Sequence, residues 1–412
     1  MILAPNMAWR NIWRNRRRSL LTMAAIAFAC ALLVFMLSFQ FGAYETMIQS
    51  AVRIHTGHFQ VQAAGYMDDP SVRRVVADPE RVGRILSEIP AVTAFAERAE
   101  AFALVSSETR TYGAMVRGVD PAREPAVSRL EHLVREGRFL APDDTDAALV
   151  GRLLAENLQV GLGDALVFLG QGRDGSIAAA EATVRGIIDS GQDEFDRGVL
   201  HVPLGFFQDA FFMGGAVHRV VAVVRSLRDV PEATEQVVRA LAEADGGGDL
   251  AAPDWDALMP GLSQSIAIDL VGGLVFYGLL LVVVAFGILN TFLMAVLERT
   301  REFGVMMALG TTRRRLTRLL LAESMLLTAL GILVGVALGC GVTLFFEARG
   351  IDMGEASELL AQFGISGTLY PRLSPLSVAI GPGLVLIVTF FTALYPALRV
   401  RRLTPVAAMR HP

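Results

Sequence analysis

Four long apolar runs leave few folds open to this chain. Ser19 to Phe41 is 23 residues without a charge. At ~1.5 Å per residue, a helix of that length reaches about 34 Å, enough to cross a hydrocarbon core. Leu270 to Leu297, Leu316 to Phe346 and Leu376 to Leu398 repeat the pattern. Inside lipid a backbone must satisfy its own hydrogen bonds, so each run reads as a transmembrane helix. Composition agrees, because 53% hydrophobic with 19% charged is too apolar for a soluble chain of 412 residues.

The spacing of the runs is uneven. More than half of the chain outside the spans lies between the first two, so the expected architecture is an α-helical membrane protein with four transmembrane helices and a mixed α/β extracytoplasmic domain inserted between helices one and two. The expected segments are an amphipathic elbow helix over 1–18, helix one over 19–41, a stalk and soluble core over 42–265 and helix two over 266–297. A short loop over 298–315, helix three over 316–346, an outer loop over 347–374, helix four over 375–400 and a tail over 401–412 complete the chain. Five Arg residues between Arg10 and Arg18 place the amino terminus in the cytoplasm, and the outer loop carries four acidic residues against two Arg. Asn6 can cap an elbow helix with Trp9, Ile12 and Trp13 on one face and Arg10, Arg14 and Arg17 around the other, which suits a membrane interface.

In the inserted region, strand-like runs occur at 59–63, 101–105, 114–119, 166–169, 182–188, 200–202 and 220–224, with helical runs at 79–89, 151–158, 204–212 and 230–244. Gly246 to Gly248 mark a flexible return to the membrane. Little there points to catalysis. His55 and His58 are three apart, but no neighbouring Cys or carboxylate completes a tetrahedral set, so no metal site is expected. The acidic groups near Asp143 and Asp193 read as solvated loops. Every one of the 37 basic residues is Arg. A phosphate-binding P-loop needs a Lys, so no such site lies in these residues, and any ATP and Mg belong to another polypeptide. The chain is expected to be non-catalytic, with no cofactor of its own and no nucleic-acid partner.

Within the spans, Gly331, Gly335 and Gly339 form a small-residue face for close helix contact. Glu323 lies in the first turns of span three, where Arg318 or the interface can satisfy it. Asn290 reads as a helix-to-helix hydrogen-bonding group.

The loop after span two is unusual. Glu298, Arg299, Arg301 and Glu302 precede Phe303, Gly304, Val305, Met306, Met307, Ala308 and Leu309, and Gly310 follows. At helical spacing Phe303, Met306, Met307 and Gly310 share a side, and Gly310 is a natural stop. Such a short amphipathic helix either lies flat on lipid headgroups or docks as an apolar knob in a groove of a partner.

Glu-Arg-x-Arg-Glu-Phe-Gly-x-x-x-Ala-Leu-Gly-x-x-x-Arg-Arg resembles the cytoplasmic coupling loop of the MacB/FtsX-like ABC transporter permeases. These include the lipoprotein-releasing LolC/LolE-type permeases, nearest in layout. The order Gly137-Arg138-Phe139-Leu140, Leu149-Val150-Gly151, Leu153-Leu154-Ala155 and Val160-Gly161-Leu162-Gly163-Asp164 is similar to the extracytoplasmic core domain of the same family. Tyr395-Pro396-Ala397 and the basic segment ending Pro405-Val406-Ala407-Ala408-Met409-Arg410 resemble its closing motif. The resemblance implies a multi-pass permease of the bacterial inner membrane with both termini cytoplasmic. It implies work by mechanotransmission with two copies of an ABC ATPase subunit and a second permease, as homodimer or paralogous heterodimer. Residues Glu298, Arg299, Arg301, Glu302, Phe303, Gly304, Met306, Met307, Ala308, Leu309 and Gly310 would couple to the ATPase, with Phe303, Met307 and Leu309 as the knob. In the lipoprotein-releasing members, spans one and two border a cavity for acyl chains, which would involve Phe35, Met36, Phe39, Phe276 and Tyr277. The expected cargo is lipoprotein or lipid-like, with a periplasmic lipoprotein carrier as partner. The alternatives are MacB-like efflux of amphipathic toxins or peptides, and FtsX-like signalling to a cell-wall hydrolase.

Overall fold

The structure is a computed structural model and describes residues 9, 13–14, 16–245, 249–354 and 367–399. The Asn6 cap, the Gly246 to Gly248 connection, most of the outer loop and the closing motif beyond Arg399 lie outside the described residues. Four helices are long and apolar enough to cross a membrane: α1 (Arg16–Ala51), α6 (Pro260–Glu298), α8 (Arg313–Arg349) and α9 (Pro375–Arg399). The chain divides into two compact units, one holding 1–44, 266–352 and 368–412, the other 45–265 and 353–367.

The membrane unit packs on a core of Ile26, Cys30, Leu33 and Val34 from α1 with Tyr277, Ile288, Leu327 and Val385. The glycine face of α8 lies directly on α1. A β-carbon added at Gly335 would come within 2.6 Å of the Ala27 carbonyl oxygen and the Cys30 β-carbon, and one at Gly331 within 2.8 Å of Ile26. Backbones this close need residues without side chains.

The inserted unit is built on a ten-stranded mixed sheet that includes β4 (Val134–Gly137), β5 (Ala147–Gly151), β8 (Val199–Pro203) and β10 (Leu250–Ala251). Its order is β10-β1-β9-β2-β3-β8-β5-β7-β4, with β6 bridging β2 and β7. Its strands used below are β1 (Phe59–Ala63), β2 (Val92–Ser106), β3 (Thr111–Val119), β6 (Ala165–Gln171), β7 (Ile177–Ile188) and β9 (Arg219–Val224). Helices α2 (Pro79–Glu88), α3 (Arg152–Leu158), α4 (Leu204–Ala210) and α5 (Val230–Asp245) cover the core face. Alternation in β2 shows the logic: Ala99, Ala101, Ala103 and Val105 are buried in that core, whereas Phe102 and Leu104 point to the opposite face. Mixed α/β is therefore the observed class. Beyond Ala51 a π-helical turn, Val52–Thr56, ends at Gly57 with φ +67°. A side chain at Gly57 would strike Val221 at 2.4 Å, so a close approach to β9 and a left-handed backbone both call for glycine.

Candidate functional site

The stretch between the second and third spans folds as a short helix, α7 (Thr300–Ala308). Its end is fixed by the backbone: the Gly310 amide bonds the Met307 carbonyl at 3.1 Å and the Thr311 amide the Met306 carbonyl at 2.9 Å. This pair of bonds is a Schellman closure, and Gly310 supplies its left-handed residue at φ +94°. Thr312 then caps α8 by accepting from the Arg315 amide. The tight turn is thus set by Gly310 and Thr312 together.

Which apolar side chains face out differs from expectation. Phe303 is completely buried against Val296, Leu316, Leu320 and Ala397, with Met306 partly buried beside it. It is therefore a fastening for α7 and is not part of an exposed knob. The reason is that α7 is apolar on both sides, and the larger ring takes the side that closes the base of the bundle. Burying such a ring contributes on the order of 2–3 kcal/mol. The outward side carries Val305, exposed by 47%, Ala308 and Leu309, exposed by 82%, with Met307 half-buried between them.

Charged residues hold the same helix. Arg14 of the elbow donates two hydrogen bonds to Glu302, at 2.6 and 2.7 Å, and Arg18 pairs with Glu298. Arg299 donates to both carboxylate oxygens of Glu323 at 3.1 Å, reaches Glu302 at 3.3 Å and lies 5.5 Å over the Phe303 ring. Glu323 is therefore satisfied by Arg299, not by Arg318. The hydrogen bond from Arg14, aided by Arg299, holds Glu302 below the usual carboxylate range, and the same bond raises Arg14. Arg301 is exposed, and Gly304 is buried against the bundle. A cavity of about 60 Å³ opens among Arg14, Arg18, Arg299, Glu323, Phe292 and Ala393.

The five proposed cavity residues have different surroundings. Phe35 stacks on Phe39 at 6.4 Å and leans on Phe346 of α8 at 5.8 Å, so it faces the third span. Met36 packs partly buried in the bundle core. Phe276 is 58% exposed, whereas its neighbour Tyr277 is buried and donates to Gln40 Oε1 at 2.9 Å. The two rings meet edge to face, with centroids 6.1 Å apart. Gln40 in turn donates to Tyr44, and Tyr44 donates to Asp269 at 2.6 Å, a polar seam between α1 and α6 that sequence spacing could not reveal.

In the inserted domain no group of three metal-ligating side chains occurs among the described residues. His58 is buried and its Nδ1 accepts from the Val224 amide at 3.1 Å; burial pushes it down to about 4. The side chain of His55 lies outside the described residues. Sequence reasoning missed an exposed apolar row on the sheet, Phe102 and Leu104 of β2, Leu169 of β6 and Ile177 of β7. The signal was present, since 101–105 is apolar at every position and a half-buried strand is not.

Comparison with known proteins adds the following. The family described as MacB-like periplasmic core domain matches residues 19–240, and the FtsX-like permease C-terminal family matches 274–405. The lipoprotein-releasing system transmembrane protein LolC of Xylella fastidiosa is 28% identical over 334 residues, 78% of each chain. The macrolide export ATP-binding/permease protein MacB of Hyphomonas neptunium is 25% identical over 425 residues, covering 98% of this chain and 60% of that protein. This chain thus spans well under two thirds of the MacB protein. Among solved structures, the periplasmic region of MacB from Actinobacillus actinomycetemcomitans aligns with 51% of this chain and 94% of that one, at 12% identity and a TM-score of 0.38.

Proposed function

The chain belongs to the MacB/FtsX/LolC-type ABC transporter permeases of the bacterial inner membrane, and on that premise we propose that it works by mechanotransmission on lipoprotein or lipid-like cargo. The observation that carries the reading is α7: a helix fastened inward by Phe303 and by ion pairs, with Val305 and Leu309 presented outward. A partner ATPase would grip that apolar side, and Glu298, Arg299 and Glu302 would pass its displacement to the elbow and to α8. ATP and Mg would be held on two copies of that partner, since these residues contain no Lys. The five elbow arginines support a cytoplasmic amino terminus, which puts the inserted domain in the periplasm.

Pairing with a second permease is supported by Asn290, which is exposed about two turns from the end of α6. An amide facing lipid there lacks water to bond, and a facing helix of a second copy or paralogue would satisfy it. Lipidated cargo fits a need for ATP, because each buried CH₂ holds a chain in the bilayer by ~0.8 kcal/mol. The MacB match along nearly the whole chain favours, as second reading, efflux of amphipathic toxins. Depletion of this subunit separates the two. Lipoproteins retained in the inner membrane support extraction, whereas normal lipoprotein sorting with raised toxin sensitivity supports efflux. Normal sorting with a cell-separation defect would instead point to signalling through a cell-wall hydrolase.

A further inference from the structure

The inserted domain contains a charge cluster that coupling does not use. The register pairs Arg219 of β9 with Arg98 of β2 and pairs Glu100 of β2 with Arg117 of β3, so the four side chains share one face of the sheet. Arg98 is committed to Glu124, whose two oxygens it holds at 2.5 and 3.1 Å. Glu100 is shared: it pairs with Arg219, lies 3.5 Å from Arg117 Nε and accepts from the Tyr66 hydroxyl at 3.0 Å. His218 adds no charge of either sign, because its Nδ1 accepts the Glu100 amide proton at 2.9 Å and must therefore be bare. Among the described residues of this cluster, two carboxylates thus face three guanidinium groups, a surplus of one positive charge. The Nε atoms of Arg117 and Arg219 are buried and without a hydrogen-bond partner. Arg117 lies over the Phe195 ring at 5.6 Å, and Arg219 lies over the Tyr66 ring at 5.4 Å and hydrogen-bonds its hydroxyl.

An unbalanced charge with idle donors in a half-buried site is costly unless something answers it. A cleft of about 10 Å³ lined by Arg98, Glu100, Arg117 and Arg219 has room for one body of about the size of a water. Water would use the donors but leave the charge. We propose that this cleft binds a small monovalent anion, of the size of chloride, which fastens β2, β3 and β9 through Arg117 and Arg219. The shared Glu100 excludes dianions, because a second negative charge there would face a carboxylate rather than a surplus. Burial, with a smaller part from the nearby Arg98 charge, lowers Arg117 to about 10. Arg117 and Arg219 each retain about a quarter of their side-chain exposure, so the anion can enter from solvent without unfolding the sheet.

The test is amide hydrogen exchange of the full chain in detergent, in sodium chloride against sodium gluconate at one ionic strength. Protection of the β2, β3 and β9 amides should rise saturably with chloride and reach about tenfold at ten times the dissociation constant. Gluconate is too large to enter. The rise should vanish in Arg117→Gln, while distant amides of α5 exchange equally in both salts. Equal exchange of the three strands in the two salts overturns the proposal. Because Arg117→Gln could fail to fold, bromide soaked into crystals of the unaltered chain gives a second reading. An anomalous peak between Arg117 and Arg219 supports the site, and an empty cleft at molar bromide overturns it.

Discussion

The glycine face of α8 supports a quantitative prediction, because the same helix supplies its own control. At Gly335 an added β-carbon would meet backbone: the Ala27 carbonyl oxygen at 2.6 Å and Ala27 Cα at 3.0 Å, besides Cys30 Cβ at 2.6 Å. Ordinary contacts begin beyond 3.4 Å, so α8 and α1 must separate by a sizeable fraction of an ångström. At Gly341 nothing lies within 4 Å. Replacing either glycine by alanine gains about 0.5–1 kcal/mol of helix propensity. Only Gly335→Ala also incurs overpacking, about 1–3 kcal/mol. The difference between the two variants cancels the propensity and leaves the clash, about 1–3 kcal/mol or roughly five- to 150-fold in the unfolding equilibrium. The assay is unfolding of the purified chain in mixed micelles on titration with a denaturing detergent. Gly341→Ala should match or exceed the parent, and Gly335→Ala should fall below it. Equal stability of the two variants would refute the packing of α8 on α1.

Three further outcomes follow from the charges. Glu302 is held low by Arg14, so its bond to the elbow contributes above the ordinary carboxylate range and is lost as pH falls through the lowered value. With Trp255 replaced by Phe, fluorescence from Trp9 and Trp13 should change only at acidic pH, and Glu302→Gln should show the low-pH signal at pH 7. In the inserted domain, His58 and His218 are pushed to about 4 by burial. Protons then bind the unfolded chain first, so stability present above about 6.5 is lost as pH falls toward 4, on the order of 2 kcal/mol per histidine between pH 7 and 5. Thermal unfolding should show that slope, and His218→Asn should halve it. Finally, Arg299→Gln strands the half-buried Glu323 and should destabilise by up to about 3 kcal/mol, whereas adding Glu323→Gln should recover most of that loss. Thermal aggregation of the detergent-solubilised chain would read both.

Legibility in the sequence followed the strength of local pattern. The strand Phe59–Ala63 and the helix starting at Val230 stand where periodicity puts them. The early half of β2 escaped, because Glu97, Arg98 and Glu100 interrupt its apolar alternation and are tolerated only through long-range ion pairs, Glu97 with Arg123, Arg98 with Glu124 and Glu100 with Arg219. The start of β7 escaped for the opposite reason, as Ala178 to Ala180 carry no strand preference and are held by pairing with β6. In the coupling helix, residue types and the Gly310 stop were readable from order alone. The inward turn of Phe303 was not, since a helix apolar on both sides gives no vector, and its partners Leu316, Leu320 and Ala397 come from two other helices. The pairing of Arg299 with Glu323 joins residues 24 apart and depends on how α6 and α8 meet, which no spacing rule encodes.

The central claim is that the outward side of α7 receives the push of an ATPase, and the most direct measurement is substrate-stimulated ATP hydrolysis by the purified complex carrying Leu309→Asp. Leu309 supports no interior contact at 82% exposure, so the chain should insert and fold as the parent does. A charge on the docking face should abolish stimulation while the ATPase alone keeps its basal rate. Full stimulation in a correctly assembled Leu309→Asp complex would contradict the account.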